Sequence, residues 1–346
     1  MEITNEPRDY AWGSTTLLPG LLGRAPSGRP EAELWYGTHP GSPARVVGGG
    51  DLRDVAGELP FLVKLLAAGS TLSLQAHPTT AQAEEGFARE QAAGIPRDAP
   101  ERNYKDPYAK PEMVYALSDE FRALSGFRPV TQTRTDLDTV APGLLPDLRT
   151  DADLRAVVER LLTTDVAAEV EAIVAASADG PGESWATVRD LAAQCPGDPG
   201  IAISLLLHTV VLRRGEALYL PAGNIHAYQR GLAIEVMGPS DNVLRCGLTP
   251  KHVDAAELLA VVDFTPVDDP RLRPTVDDGR LTVFEPGAGW VLTVVADGYL
   301  RIEGGAVAVV LEGEAAGLTA GRAAYVADET LEVPAGSRAA VVVATR

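Results

Sequence analysis

The stretch Thr71-Leu-Ser-Leu-Gln-Ala-His77 constrains this chain more than any other. Polar Thr71, Ser73, Gln75 and His77 alternate with apolar Leu72, Leu74 and Ala76. A period of two marks a strand with one face in a core and the other a row of donors and acceptors. Gln75 and His77 then project to the same side, roughly 6–7 Å apart, close enough to bind one ion. Pro78 ends the run. A polar strand facing solvent would alternate in the same way, so the reading depends on what other segments bring to that face.

Two later segments bring a great deal. In Asn103-Tyr-Lys-Asp-Pro-Tyr-Ala-Lys-Pro-Glu-Met-Val-Tyr-Ala-Leu117 the end reads as a strand, with Lys110 and Glu112 on one face and Met113 and Tyr115 on the other. Further on, Gly215-x5-Pro221-x-Gly223-x2-His226 matches the second half of the cupin signature, in which two strands and a tight turn aim a histidine into a jelly-roll barrel. The Asn usual four residues later is replaced by Arg230. A plain hairpin with an incidental histidine is the competing reading. Together Gln75, His77, Glu112 and His226 offer two imidazoles, one carboxylate and one amide. Two His and a carboxylate with room left for water or substrate suit a catalytic Zn²⁺. The same ligand types would also suit Fe²⁺ in an oxygenase.

Charge and length narrow the options. At 346 residues the chain is long enough for two domains or one elaborated one. A net charge of −18 argues against nucleic acid or an anionic membrane as partner. An anionic substrate would therefore need basic residues gathered locally. No apolar run is long enough to span a bilayer, and Met-Glu-Ile-Thr-Asn-Glu lacks the parts of a signal peptide, so a cytoplasmic protein is expected. Cys195 and Cys246 form neither a metal-ligand spacing nor a disulfide framework, and reduced structural thiols are expected. Of 30 basic residues only Lys64, Lys105, Lys110 and Lys251 are lysine. In an arginine-dominated chain a retained lysine hints that a compact ammonium with a tunable pKa is needed there. Lys64 interrupts the apolar Leu59–Leu66 strand. It either points into a polar cavity or serves as a gatekeeper charge on an edge.

Residues 79–94 read as a helix with Thr as N-cap. Residues 119–197 carry helical apolar spacing in segments such as 154–162 and 166–176, which predicts three to five helices closed by Cys195-Pro-Gly-Asp-Pro-Gly. Asp254 to Val262 reads as a linking helix. From about 263 onward five to seven short strands are expected, in a region without histidine and hence without a metal site of its own. His39 is expected to order a turn, His208 to be packed, and His252 to lie on the surface.

Six motifs, taken in order, resemble type I mannose-6-phosphate isomerase. They are Tyr10-Ala-Trp-Gly-Ser14, Ala32-Glu-Leu-Trp-Tyr-Gly-Thr-His-Pro40, Leu72-Ser-Leu-Gln-Ala-His-Pro78, Tyr104-Lys-Asp-Pro-Tyr-Ala-Lys-Pro-Glu-Met113, Leu220-Pro-Ala-Gly-Asn-Ile-His-Ala-Tyr228 and Ser240-Asp-Asn-Val-Leu-Arg245. The resemblance covers roughly residues 7–128 and 199–253. It implies a mainly β protein of two cupin (jelly-roll) β-barrels with an α-helical insertion. Its expected units are a catalytic cupin of residues 1–128 and 199–253, a helical insertion of 129–198, and a C-terminal cupin-like domain of 254–346 without metal. It also implies one Zn²⁺ per chain on Gln75, His77, Glu112 and His226, and a sugar phosphate substrate; a monomer is the default expectation because no coiled coil or long exposed apolar element stands out in the sequence. Arg245, Lys110, Asp241 and Glu235 become candidate catalytic groups, the last three being candidates for the proton-transferring base. Lys64, Tyr228, Ser73, Trp12 and Glu33 are candidates to line or rim the substrate pocket. Lysines beside a dication are expected to have a lowered pKa. Asp241 and Arg245, four apart, could instead form an ion pair on a helical turn.

The implied reaction interconverts mannose 6-phosphate and fructose 6-phosphate through an enediol. It calls for a Lewis acid, an acid–base group and a cationic grip on the phosphate. An Fe²⁺ dioxygenase and a non-catalytic sugar-binding cupin are the rivals. The amide ligand and the two lysines speak against the first, and the intact ligand set against the second.

Overall fold

Strand Leu62–Ala68 shows how the sequence builds this molecule. All seven residues, Leu-Val-Lys-Leu-Leu-Ala-Ala, are buried. Val63, Leu65 and Ala67 point outward into a core shared with the C-terminal sheet, whereas Leu66 and Ala68 join the lining of the first barrel. A strand covered on both faces needs apolar residues at every position, which is why the alternation seen at residues 71–77 is missing here. The structure, a computed structural model, describes residues 1–345.

The hub of the first sheet is the 12-residue strand His226–Met237. Its first part pairs with Leu74–Ala76 and Phe121–Phe127, and its second with Leu62–Ala68 and Glu112–Ala116, all antiparallel. The register shifts between Tyr228 and Arg230. Gly231 follows at φ +122°, where an added Cβ would lie 2.9 Å from the Phe121 backbone. A bulge and a glycine bend let one strand change partners partway along, which closes the sheet on itself. The inner wall of this barrel is the apolar set Leu66, Val114, Phe121, Val210, Leu218 and Tyr228. Polar side chains are left for one end of it.

Four α-helices, Val130–Val140, Leu154–Thr163, Ala167–Ala176 and Gly182–Gln194, lie where the helical spacing predicts them. A fifth, Gly200–Ser204, follows the expected breaker. Thr79 caps helix Thr80–Ala92 in a reciprocal capping box with Gln82. Asp254 caps the linking helix Ala255–Val261 through the Glu257 N–H.

The second sheet has eight strands, and two of them are long, Trp290–Arg301 and Thr330–Ala344. The C-terminal region is thus richer in strands, and less uniformly short, than the spacing of its turn residues predicts. Strands Glu2–Thr4 and Arg45–Val46 from the start of the chain complete this sheet, while Arg271–Leu272 pairs back onto Ala217–Leu220 of the first. Phe284, Trp290, Leu292, Val307 and Val309 meet the outer face of the barrel in one continuous apolar cluster. The architecture is mainly β, antiparallel and cupin-like. Among the described residues no helix is long and apolar enough to cross a membrane.

Candidate metal centre and its surroundings

The strand within Thr71–His77 is shorter than the alternation predicts, Leu74–Ala76, with His77 just past its end. Its apolar residues behave as read: Leu74 and Ala76 are fully buried against the helical layer. Gln75 is paired on one side with His226 and on the other with Arg245. Directly paired antiparallel residues share a face, so Arg245, Gln75 and His226 form one row across three strands. The tight turn before His226 is tied to the other histidine, the Gly223 N–H donating to the His77 carbonyl at 2.8 Å. Gly223 has φ +80°, and a side chain there would press on Val261 and Asp263.

His77, Glu112 and His226 converge, each offering an atom within 4.8 Å of the others. His77 Nε2 is 3.2 Å from Glu112 Oε1 and His226 Nε2 is 3.2 Å from Glu112 Oε2. Both nitrogens are buried, and neither makes a hydrogen bond. The other ring nitrogens fix the tautomers. His77 Nδ1 lies 2.7 Å from the Asn242 carbonyl, and His226 Nδ1 lies 3.1 Å from the Asn224 carbonyl. A carbonyl can only accept, so both Nδ1 atoms carry the proton and both Nε2 lone pairs face the shared point. Charge tells the same story. Three buried carboxylates, Glu33, Glu112 and Glu235, face two buried ammoniums, Lys64 and Lys110, which leaves one uncompensated negative charge. Buried, unbonded lone pairs beside surplus negative charge are what a divalent cation satisfies. The donor set fits zinc. Gln75 Oε1 accepts from Ser73 Oγ at 3.2 Å, so Ser73 orients the amide beside His226.

Lys110 precedes the strand Glu112–Ala116 rather than forming part of it, yet its Nζ reaches Glu112 Oε1 at 2.8 Å. Burial alone would raise the Glu112 pKa. Lys110, His77 and His226 more than offset that and hold the carboxylate well below its usual range. Tyr228 donates to Glu112 Oε2 at 3.4 Å, and burial next to that charge pushes its phenol well up. Lys64 points inward on a central strand, so the edge reading is excluded. Its Nζ lies 2.8 Å from Glu235, 3.5 Å from Glu33 and 5.0 Å from the Trp35 ring. Glu33 in turn accepts from Trp35 Nε1 at 2.7 Å. Without a dication at the site, burial opposes the Lys64 charge, but Glu235 and Glu33 overcome it and raise the pKa. Glu235 goes up as well, through burial and because Glu33 and Glu112 compete for the same cations.

Asp241 and Arg245 do not lie on a helical turn. Arg245 stands on strand Leu244–Gly247, while Asp241 lies in the loop before it, half exposed, 3.6 Å from His39 Nε2. His39 orders its turn as expected, accepting from the Gly41 N–H at 3.1 Å. Trp12 packs against the inner apolar wall and stacks on Tyr10. His208 is partly covered and bonds the Val267 carbonyl at 2.7 Å, and His252 is exposed.

Sequence reasoning missed two groups. Burial, then the positive charges of Arg245 and Lys105, lower the Lys251 pKa, so these three cations feel one another's charge. The scarcity of lysine was the signal, and it applies to all four lysines, not only to Lys64 and Lys110.

The histidines give a first prediction. Burial depresses His39, His208 and His77, the last to about 4. The unfolded chain therefore binds more protons than the fold below about pH 6.5, so stability present above that pH drains away as the pH falls towards 4. Urea unfolding of the chelator-stripped protein should show a midpoint that drops steadily from pH 7.5 to 5. A flat midpoint would refute this.

An antiparallel barrel that turns two imidazoles and a carboxylate onto one buried point defines a cupin-type metalloprotein. Residues 52–130 match the type I phosphomannose isomerase catalytic domain. The chain is 42% identical to mannose-6-phosphate isomerase of Escherichia coli K12, over 76% of this chain and 74% of that one. It is 41% identical to the enzyme of Salmonella typhimurium LT2, over 77% and 75%. A solved structure of mannose 6-phosphate isomerase in its zinc-bound form superposes with a TM-score of 0.92 at 35% identity, covering 100% of this chain and 99% of that one. The chain belongs to the type I phosphomannose isomerase family.

Proposed function

We propose that this chain interconverts mannose 6-phosphate and fructose 6-phosphate with zinc as its cofactor, held by His77, Glu112 and His226 with Gln75 alongside. The observation that carries the reading is the pair of buried, unbonded Nε2 atoms aimed at the Glu112 carboxylate. Zinc, when bound, supplies a Lewis acid beside the sugar oxygens on which negative charge develops.

The chain's own residues do the rest. Arg245, in the row with Gln75 and His226, has no carboxylate in salt-bridge range among the described residues. With Lys251 and Lys105 it forms the local positive field that a phosphorylated substrate needs on a protein of net charge −18. Lys110 lies against Glu112 and holds positive charge next to the reacting end of the sugar. Among the three candidate bases, Glu235 is locked against Lys64 and Lys110 against Glu112, whereas Asp241 is half exposed, with only His39 Nε2, 3.6 Å away, in salt-bridge range among the described residues. Asp241 is therefore the group we assign to proton transfer between the two carbons. Tyr228 beside Glu112, Glu33 beside Lys64, and Trp12 on the barrel wall are assigned to the lining of the substrate pocket. Residues 1–128 and 199–253 are assigned to this catalytic unit, apart from strands Glu2–Thr4 and Arg45–Val46, which pair into the second sheet, 129–198 to the insertion that backs it, and the chain from 254 onward to the unit that covers its outer face, apart from Arg271–Leu272, which pairs back onto the first sheet.

A coupled assay of fructose 6-phosphate formation from mannose 6-phosphate tests the reading. Turnover should vanish with EDTA and return with zinc. A fully metallated protein with no turnover would sink it.

A further inference from the structure

We infer that Asn242 is a positioning residue that ties the orientation of the His77 imidazole to the loop carrying Lys110. It rests on the zinc reading above and extends it to a residue outside the ligand set.

Asn242 is fully buried, and every polar group it owns is engaged. Its Nδ2 donates to the carbonyls of Asp106 at 2.8 Å and Tyr108 at 2.9 Å. Its Oδ1 accepts from the N–H of Lys105 at 2.7 Å and of Asp106 at 3.2 Å. Two donors and an oxygen with two lone pairs are the whole capacity of a carboxamide, and the backbone of residues 105–108 uses all of it. The Asn242 backbone is engaged too. Its N–H donates to Ser240 Oγ at 3.2 Å, and Ser240 Oγ donates to the Tyr108 carbonyl at 3.2 Å. Its carbonyl is the 2.7 Å acceptor for His77 Nδ1.

The segment held by that side chain has no helix or strand of its own: residues 101–111 lie between helix Thr80–Ala92 and strand Glu112–Ala116. It leads straight to Lys110, whose Nζ is 2.8 Å from Glu112. One buried amide therefore fixes both neighbours of Glu112, His77 through its carbonyl and Lys110 through the loop. If the carbonyl shifts by about 1 Å, the bond to Nδ1 falls outside hydrogen-bonding range, and the Nε2 lone pair is no longer held towards Glu112. A simple loop staple would matter for stability alone.

Asn242→Asp separates these roles. It preserves shape and the acceptor oxygen, but it cannot donate to the carbonyls of Asp106 and Tyr108. Zinc affinity is read by chelator competition, and the His77 tautomer by nitrogen-15 NMR of the imidazoles, which only 5 histidines make tractable. Asn242→Asp should bind zinc 10- to 100-fold more weakly. It should also lose the fixed Nδ1–H form of His77 and lose kcat at saturating zinc more than it raises KM. A lower Tm with unchanged zinc affinity and unchanged His77 signals would overturn the inference. So would Val333→Ala, a truncation in the separate C-terminal core, if it weakened zinc binding as much for a similar loss of Tm. Should Asn242→Asp fail to fold, Ser240→Ala removes the acceptor of the Asn242 N–H and the link to the Tyr108 carbonyl while leaving the Asn242 carboxamide intact. It should still weaken zinc binding several-fold, and an unchanged affinity there would overturn the inference as well. Wild-type protein that binds no zinc would instead sink the proposed function.

Discussion

Glu112→Ala is expected to abolish turnover of mannose 6-phosphate, by roughly a thousand-fold or more, and to leave the purified protein without zinc. Glu112 is the one group in contact with both imidazoles, and it is also the partner of Lys110. Its removal leaves two lone pairs beside an unpaired ammonium and takes away the surplus negative charge, so the site no longer traps a dication. Glu112→Gln separates charge from shape. The amide fills the same volume but presents one oxygen and no net charge, and zinc content by atomic absorption should fall nearly as far as in the alanine variant. A Glu112→Gln protein that retained both zinc and turnover would show that the carboxylate charge is not what holds the metal.

How much of this centre was legible follows from where its residues come from. His77, Glu112 and His226 could be found because strand period and the glycine-proline turn before His226 act locally, and each aims its own side chain. The shared face of Gln75 and His226 follows from strand pairing, which no local pattern encodes. The alternative of an ion pair between Asp241 and Arg245 on a helical turn fails for the same reason: a spacing of four fits a helix, but the backbone there is loop and then strand. Strand Leu62–Ala68 gave no alternation because its outer face is covered by a sheet most of whose strands come from the C-terminal part of the chain, far away in sequence. Only that burial explains why a run so apolar carries Lys64. The clustering of Lys105 and Lys251 near Arg245 is likewise a tertiary fact, hinted at by composition and located only by the fold.

Lys64→Met is expected to destabilise the fold by about 3–5 kcal/mol, the usual cost of stranding a buried charge. Lys64 is almost wholly buried and serves Glu235 at 2.8 Å and Glu33 at 3.5 Å. Methionine keeps most of the volume and the apolar stem, so the loss is electrostatic rather than a cavity. Glu33 retains the Trp35 indole N–H as a donor, whereas Glu235 is left facing the barrel interior. Glu235 must then take up a proton, and stability of the variant should recover as the pH is lowered, opposite in sign to the histidine effect in the parent. Glu235→Gln on top of Lys64→Met removes that stranded charge, so the double variant should be more stable than Lys64→Met alone. Urea unfolding of the two single variants and the double one provides the cycle. If the double variant is destabilised by the sum of the singles, Lys64 and Glu235 do not act as a pair, and the ammonium answers chiefly to Glu33. A recovered double variant that still turns over poorly would place the Lys64–Glu235 pair in the chemistry as well as in the core, because its stability and its activity would then have come apart.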